Sequence, residues 1–318
     1  SLSSLSEGYF EAASEISTTG IILLGSQVDT PNAILGWRIL IEWLGGLSIL
    51  LLAVTFAPFI GIAGAEQTVV NLPHGEGEGL TERLRSSFQK LGQTYASITL
   101  AFAALLWISG ASFLDGLTLS MTGLATGAFT FHQDGLAFYN SFWMELIMAG
   151  ALITGALNLT LVRGAARGRF DLLFKDQESR TFVRALLVSI LILLALHMVE
   201  SKGIFNEFLS GFWDRVFLTI SAATTSGMSS SGEVNLSLSS IIFLFAVVML
   251  GGTMVSTTGG LKMLRFHLIS RFARKELARL IHPHGIYPVR YGLKKVTIEH
   301  MFGAVSYTHL RAHETQPY

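Results

Sequence analysis

The sequence predicts an all-α polytopic membrane protein built from a repeated unit of span, short helix, glycine loop and span. Half of the 318 residues are hydrophobic, only 14% are charged, and the mean hydropathy is +0.52. Three apolar segments, each too short to cross a bilayer, break off into polar loops. The glycines of these loops stand at positions 20, 127 and 227, and this nearly even spacing indicates an internal repeat.

The three glycine loops carry the residues that we expect to bind an ion. Non-helical backbone at membrane depth is tolerated only where it is buried in protein or lines a water-filled cavity. Carbonyl oxygens in such a loop can replace the hydration shell of a cation. We therefore predict re-entrant pore loops whose coordinating residues are Thr18, Thr19 and Gly20, then Ala125, Thr126 and Gly127, then Thr225, Ser226 and Gly227.

The segments between these loops alternate between apolar and charged. Short helices are expected at 5–19, 115–126 and within 205–226, spans at 34–62, 91–112, 138–162 and 181–199, and a basic amphipathic helix at 263–281. The predicted divisions are 1–63 (pore loop and second span of repeat 1), 64–90 (a linker read as loop), 91–162 (repeat 2), 163–180 (linker), 181–275 (repeat 3), and 276–305 (link to a further repeat).

Charge predicts which side each segment faces. Most Lys and Arg residues lie in the stretches 64–90, 163–184 and 262–279, so the linkers are expected in the cytoplasm and the glycine loops open outward. The outward segments are acidic, and an acidic vestibule concentrates cations. The alternative is that these acids only cap and solubilise loop ends. They are Glu7, Glu11, Glu15, Asp29, Asp115, Asp134, Glu200, Glu207, Asp214 and Glu233.

A second polar break, here named the intramembrane loop, covers residues 251–260. The apolar helix expected at 239–250 reaches only part of the way across the hydrocarbon core, and the following Gly, Ser and Thr residues favour a break. Its candidate functional residues are Gly251, Gly252, Ser256, Thr257, Gly259 and Gly260, followed by Lys262. The hypothesis is a gate beneath the third glycine loop; the alternative is a kink whose small residues allow close helix packing. Lys262 is expected to reach toward the membrane interface.

These residues resemble the Trk/Ktr potassium-uptake family, and the Trk-type transmembrane subunit is the nearest match. The segments that carry the resemblance are 10–20, 43–46, 124–129 and 251–262, and it extends over residues 1–305. In that family four repeats surround a pseudo-fourfold pore, with one filter glycine each, and an intramembrane loop gates the pore. Ala128 stands where the family often has a second glycine; since Gly127 keeps the filter position, we expect a minor effect.

The resemblance also implies a function and partners. The function is K⁺ uptake through a gated selectivity filter, with K⁺ as the transported ion and no cofactor. The location is the bacterial inner membrane, with several spans. The partners are membrane lipid, a second copy in a homodimer, and a cytoplasmic nucleotide-binding regulatory subunit, for which the basic stretch 271–279 is a docking or lipid-facing surface. For such a juxtamembrane basic helix, the lipid-facing interpretation is favoured.

Other classes of function find little support in the sequence. Without Cys there is no disulfide or thiolate site, and the net charge of zero points to no nucleic acid. No nucleophile elbow, P-loop or dinucleotide motif stands in a strand–helix context, so no enzyme is expected. His282 and His284 are interpreted as a loop feature.

Two rival interpretations remain open. One is a secondary transporter with re-entrant hairpins, which predicts inverted repeats and a cation for a substrate carboxylate. The other is a non-conducting fragment, because the first span of repeat 1 and the fourth repeat are expected to be missing. Residues 306–318 resemble translated sequencing-adapter sequence and are excluded from the predicted fold.

Overall fold

The chain folds into helices joined by short polar turns. The computed structural model describes residues 5–21, 31–56, 80–132, 134–201, 205–230, 234, 236–281, 290–291 and 294–295. The helices are α1 (Leu5–Ile16), α2 (Asn32–Phe56), α3 (Leu80–Ile108), α4 (Phe113–Ala125), α5 (Phe142–Ala156), α6 (Leu159–Ala166), α7 (Asp171–Lys175), α8 (Gln177–Glu200), α9 (Phe205–Ala223), α10 (Leu238–Leu250) and α11 (Met263–Ile281). A 3-10 turn covers Gly135–Tyr139, and β1 (Arg290–Tyr291) pairs antiparallel with β2 (Lys294–Lys295).

Three helices among the described residues are long and apolar enough to cross a membrane. They cover Asn32–Val54, Phe88–Ile108 and Gln177–Glu200. Lengths of 21 to 24 residues match a hydrocarbon core of about 30 Å at 1.5 Å per residue. These helices fit the predicted polytopic helical fold.

The segment predicted as a span at 138–162 is broken into two helices. Helices α5 and α6 meet at a bend of 119°. Asn158 ends the first helix and starts the second, because its side chain accepts a hydrogen bond from the Thr160 amide at 3.1 Å. The open carbonyls of Gly155 and Ala156 then accept hydrogen bonds from the intramembrane loop, at 3.1 and 2.9 Å. A partner distant in sequence therefore stabilises a break that local pattern does not reveal.

Helix α3 begins earlier than predicted. It starts at Leu80, inside the stretch interpreted as a loop at 64–90. Leu, Glu, Arg, Gln and Lys make up most of residues 80–90, and these residue types favour helix even where they are charged. The remainder of that stretch, 64–79, lies outside the described residues, as do His282, His284 and residues 306–318.

The short helices are surrounded by the spans. Helix α4 packs against α2, α3 and α5, and α9 packs against α8, α10 and α5. The main apolar core lies between them and includes Met148, Phe182 and Phe217, all at most 1% exposed. Close packing of this kind fixes where each short helix ends, and the ends of these helices form the candidate site.

Candidate functional site

The three short helices end in the same backbone turn. Thr18, Thr126 and Thr225 adopt left-handed conformations with φ of 55°, 57° and 57°. Such values are uncommon for residues other than glycine. The next residue donates its amide to the carbonyl five residues earlier in each repeat: Thr19 to Ser14 (2.8 Å), Gly127 to Thr122 (2.9 Å) and Ser226 to Ser221 (3.0 Å). Three equal turns establish which positions are equivalent.

This equivalence corrects the predicted alignment of the second loop. The shared turn places Gly127 beside Thr19 and Ser226 in the alignment, and it places Ala128 with Gly20 and Gly227. The expectation that Gly127 matches Gly20 and Gly227 is therefore wrong by one residue. In repeat 2 the glycine follows the left-handed threonine directly, whereas repeats 1 and 3 have one residue between them.

The glycines consequently serve different purposes. Gly20 and Gly227 have φ of +74° and +76°, and a Cβ added at either would meet no atom of the described structure within 4 Å. They need backbone freedom and face open space. Gly127 has no positive φ, but a Cβ there would lie 2.0 Å from Oε1 of Glu42. Gly127 is therefore required by packing.

Glu42 is a functional candidate that the sequence analysis missed. It lies on the first described span, α2, is 0% exposed, and presses its carboxylate against the second loop. Neither carboxylate oxygen has a hydrogen-bond partner among the described residues, and the same holds for the hydroxyls of Tyr95 and Thr122. An ionisable residue inside a span is a signal of function that can be read from sequence.

Several acids assigned to an outer vestibule are instead anchors. Glu11 and Glu15 on α1 are buried and form ion pairs with Arg38 of α2, the Glu15 contact at 3.1 Å. Glu200 accepts a hydrogen bond from Ser240 at 2.6 Å. These contacts join helices, whereas the alternative interpretation predicted that the acids only cap and solubilise loop ends. Asp29 and Glu233 lie outside the described residues.

Asp115 and Asp214 also have partners. The Asp115 carboxylate lies 3.6 Å from Nε2 of His132, and Asp214 accepts a hydrogen bond from Ser230 at 2.9 Å. Both acids stand beside the polar loops that follow the short helices α4 and α9. They tie these loops to the helices that precede them.

The intramembrane loop contacts all three repeats. Thr257 Oγ1 donates to the carbonyl of Leu124, at the end of α4, at 2.9 Å. The amide of Gly259 donates to Thr225 Oγ1, in the third loop, at 2.8 Å. A Cβ added at Gly46 of α2 would lie 3.2 Å from Thr257 Cγ2. The loop thus lies directly against the turns that end α4 and α9, as a gate would have to.

The two ends of this loop, Gly251 and Gly260, form a neck in which backbone atoms pack directly against each other. Gly251 and Gly260 have φ of +67° and +78°, and a Cβ on Gly251 would lie 2.2 Å from the carbonyl of Gly259. Between them, Thr253 and Ser256 are both 0% exposed. A larger residue at the neck would force the two ends apart, so glycine is required there for steric reasons.

Lys262 turns back into the loop, and the expectation that it reaches toward the interface is wrong. Its ammonium donates to the carbonyl of Ser256 at 3.3 Å and to the carbonyl of Thr258. These carbonyls have no helical partner, so the cation satisfies them. Lys262 has a left-handed backbone conformation, with φ of 68°, at the point where its side chain turns back toward the loop.

Glu178 holds both ends of the same loop and was also missed. Its carboxylate is buried and accepts hydrogen bonds from the amides of Met254 at 2.5 Å and Leu264 at 3.2 Å. Both amides donate to the same oxygen, Oε1. One carboxylate on α8 therefore joins the start of the loop to the start of α11.

Comparison with known proteins identifies the family of this chain. Residues 1–305 match the TrkH family, described as cation transport protein. The chain belongs to this family. It is 30% identical to the Trk system potassium uptake protein TrkH of Vibrio parahaemolyticus over 299 residues, covering 91% of this chain and 60% of that protein.

Two further TrkH comparisons extend the match. The Escherichia coli TrkH potassium uptake protein is 28% identical over 293 residues, with 91% and 60% coverage. The crystal structure of the potassium transporter TrkH from Vibrio parahaemolyticus superposes with a TM-score of 0.82 at 27% identity, covering 95% of this chain and 61% of that one. The chain spans about 60% of the length of the relatives it matches.

Proposed function

We propose that this TrkH-family chain supplies three walls of a K⁺ uptake pathway. The ion is held by backbone carbonyls of the three equivalent turns, which are 18–20, 126–128 and 225–227 in the corrected alignment. The observation that carries the proposal is the repetition of one left-handed turn at the ends of α1, α4 and α9, with the intramembrane loop hydrogen-bonded to two of the three. The identity of the ion, K⁺, is inferred from the names of the relatives, which are potassium uptake proteins.

The intramembrane loop is the gate in this proposal. Its hydrogen bonds to Leu124 and Thr225, beside two of the three turns, support this role. Lys262, the cation at the foot of the loop, donates to loop carbonyls, so it is already used and offers little to a substrate carboxylate. This contact favours the channel-like pathway over the rival secondary transporter.

The remaining assignments belong to the same proposal. The protein transports rather than catalyses, and it resides in a bacterial inner membrane with lipid around it. It works as a homodimer with a cytoplasmic nucleotide-binding regulatory subunit. The fourth wall comes from sequence equivalent to the part of the relatives outside the match. Residues 64–90, 163–180 and 276–305 are the cytoplasmic segments.

The test is rescue of an Escherichia coli strain that lacks K⁺ uptake systems. The chain is expressed alone and, in parallel, with residue 305 fused to the region of the Vibrio relative beyond the match. Growth at limiting K⁺ and rubidium uptake are measured. We expect the fusion to restore both and the chain alone to restore neither, because three turns leave the ring of carbonyls open.

A matched glycine pair identifies the filter in this fusion. Gly227→Ser adds a side chain at φ +76° where the turn faces open space. Gly110→Ser adds the same side chain at φ +114°, also in open space, but in the turn between α3 and α4. Uptake lost in the first variant and retained in the second supports the filter; equal uptake in both contradicts it.

A further inference from the structure

A cavity of about 360 Å³ lies between the first turns of α8 and α11. Its walls carry four guanidinium groups, from Arg180 and Arg184 on α8 and from Arg271 and Arg274 on α11. His267 and hydroxyl side chains line the space between them, and none of the lining residues is acidic. The site is separate from the glycine turns and from the intramembrane loop.

The positive charge in this cavity is concentrated. Arg180 donates to the backbone carbonyls of Lys175 at 3.2 Å and Asp176 at 3.3 Å, and no carboxylate of the described residues forms an ion pair with it. Neighbouring like charges repel each other. An anion that enters the cavity relieves this repulsion and gains several charge-assisted hydrogen bonds.

We propose that the cavity binds a phosphate-bearing anion, with the headgroup of an anionic phospholipid as its main occupant. Guanidinium forks match the geometry of phosphate oxygens, and the volume lies in the range of small-ligand sites, about 300–1,000 Å³. Basic pockets at the charged ends of membrane helices bind anionic headgroups.

Apolar surface beside the cavity favours a lipid over a free anion. Phe266, which lines the cavity, is 40% exposed. Leu187 lies one turn beyond Arg184 toward the apolar part of α8 and is 55% exposed. A phosphate held by the arginines therefore leaves acyl chains free to lie along α8.

The cavity is also connected to the intramembrane loop. Beside it, the side chains of Gln177 and His267 form a hydrogen bond of 2.9 Å that joins α8 to α11. The adjacent Glu178 binds the amides of Met254 and Leu264 at the two ends of the loop. A ligand that bridges α8 and α11 thus strengthens the contact between the helices that hold the loop in place.

The experiment measures lipid retention by the 318-residue chain and needs no transport. The chain is purified from nanodiscs of phosphatidylglycerol or phosphatidylcholine, and bound lipid is counted by native mass spectrometry. Arg184→Gln with Arg274→Gln removes two cavity charges from exposed side chains. Arg167→Gln with Arg169→Gln removes the same charge from exposed positions outside the cavity. The lysine versions of the first pair keep the charge but lose the forked geometry.

We expect the cavity variant to retain about tenfold less phosphatidylglycerol than the control variant, with the lysine version between them. Phosphatidylcholine retention is expected to be low and equal in all. Inorganic phosphate is the second arm: thermal protection by phosphate that the cavity variant loses, without a lipid difference, assigns the site to a soluble anion. Equal phosphatidylglycerol retention together with equal phosphate protection in cavity and control variants overturns the proposal.

Discussion

At the scale of single residues, Glu42 and Gly127 pack closely against each other in the candidate site. The carboxylate occupies the space in which any side chain at 127 would have to stand. A buried carboxyl that has no hydrogen-bond partner among the described residues is costly to keep, so Glu42 is a candidate for a role in the proposed ion pathway. The contact also determines how close the second loop comes to α2.

Gly127→Ala is predicted to destabilise the chain by about 1–3 kcal/mol, the usual cost of overpacking. The reason is that the new methyl group meets the Glu42 carboxylate at 2.0 Å. Glu42→Ala creates room, so the double variant is expected to lose less stability than the sum of the two single variants. Thermal unfolding in detergent measures the four proteins of the cycle.

Gly92→Ala is the matched control for this cycle. It lies on α3 and an added Cβ meets no atom of the described structure within 4 Å, so its effect should simply add to that of Glu42→Ala. Additive effects for Gly127→Ala as well would show that the two residues do not touch in the folded chain.

His267 gives the anion cavity a predicted pH dependence. Burial lowers the pKa of His267, and the charges of Arg271 and Arg274 lower it further; Arg180, Arg184 and Gln177 line the opposite wall. Because the folded chain binds this proton more weakly than the unfolded chain does, its free energy of unfolding decreases as the pH falls below about 6.5, the pKa of a free histidine. A bound anion favours the protonated imidazole, so protection by sulfate, whose charge stays constant in this range, should increase from about pH 7 to pH 5.

The measurement is the shift in melting temperature caused by sulfate across this range. His267→Gln keeps a polar side chain without a titrating group and should make the shift independent of pH. A shift that rises equally in both proteins would assign the effect to another group.

At the scale of elements, the sequence predicted helices better than breaks. The bounds of α11 are those predicted, and the polar break at 251–260 is confirmed, because amphipathic spacing and glycine runs are local signals. The bend between α5 and α6 was missed because its carbonyls are satisfied by a loop about 100 residues away in sequence. The register of the second glycine loop was missed because a glycine can serve packing as well as backbone conformation.

Glu178→Gln is predicted to loosen the intramembrane loop while leaving the helices folded. The amide keeps the shape of the acid but can turn its NH₂ group, which cannot accept a hydrogen bond, toward the amides of Met254 and Leu264. Each hydrogen bond that is lost costs about 0.5–1.5 kcal/mol. The chain has no cysteine, so Val255→Cys provides a single thiol in the loop at a position that is 1% exposed. A methanethiosulfonate reagent should modify it about tenfold faster when Glu178 is replaced.

The control for this experiment is Asp171→Asn. Asp171 is an exposed carboxylate on α7 that pairs with Lys175 at 3.2 Å and has no contact with the loop. Its replacement changes the charge equally and should leave the rate of modification unchanged. Equal rates in the Glu178 and Asp171 variants would exclude Glu178 as the residue that holds the loop.

At the scale of the whole molecule, the intramembrane loop contacts all three described repeats. It is bonded to the end of α4, to the turn after α9 and to the broken end of α5, and it packs against α2. A kink that served only close helix packing would contact its immediate neighbours. Contacts to every described repeat instead favour an element whose position all repeats determine together.

Release of the loop is therefore predicted to raise basal flux through the fusion protein described above. Replacing residues 253–258 by a shorter linker removes the gate, but it also uncovers carbonyls of α5. Thr257→Val is the sharper variant, because it keeps the volume and removes only the hydroxyl, whose single proton is shared between the carbonyls of Leu124 and Gly155. That hydrogen bond contributes about 1 kcal/mol, so the open fraction should rise several-fold. Rubidium uptake without the regulatory subunit is the measurement.

Thr118→Val is the matched control for this last prediction, since its buried hydroxyl bonds only to the carbonyls of its own helix. If flux rises in the Thr257 variant and the linker variant but not in the Thr118 variant, the loop restricts the pathway. If all three behave alike while the fusion still transports K⁺, the loop is a packing element and the gate lies elsewhere. Rubidium uptake without the regulatory subunit reports how well the closed state blocks the pathway. It therefore tests gating, whereas the glycine variants test the filter.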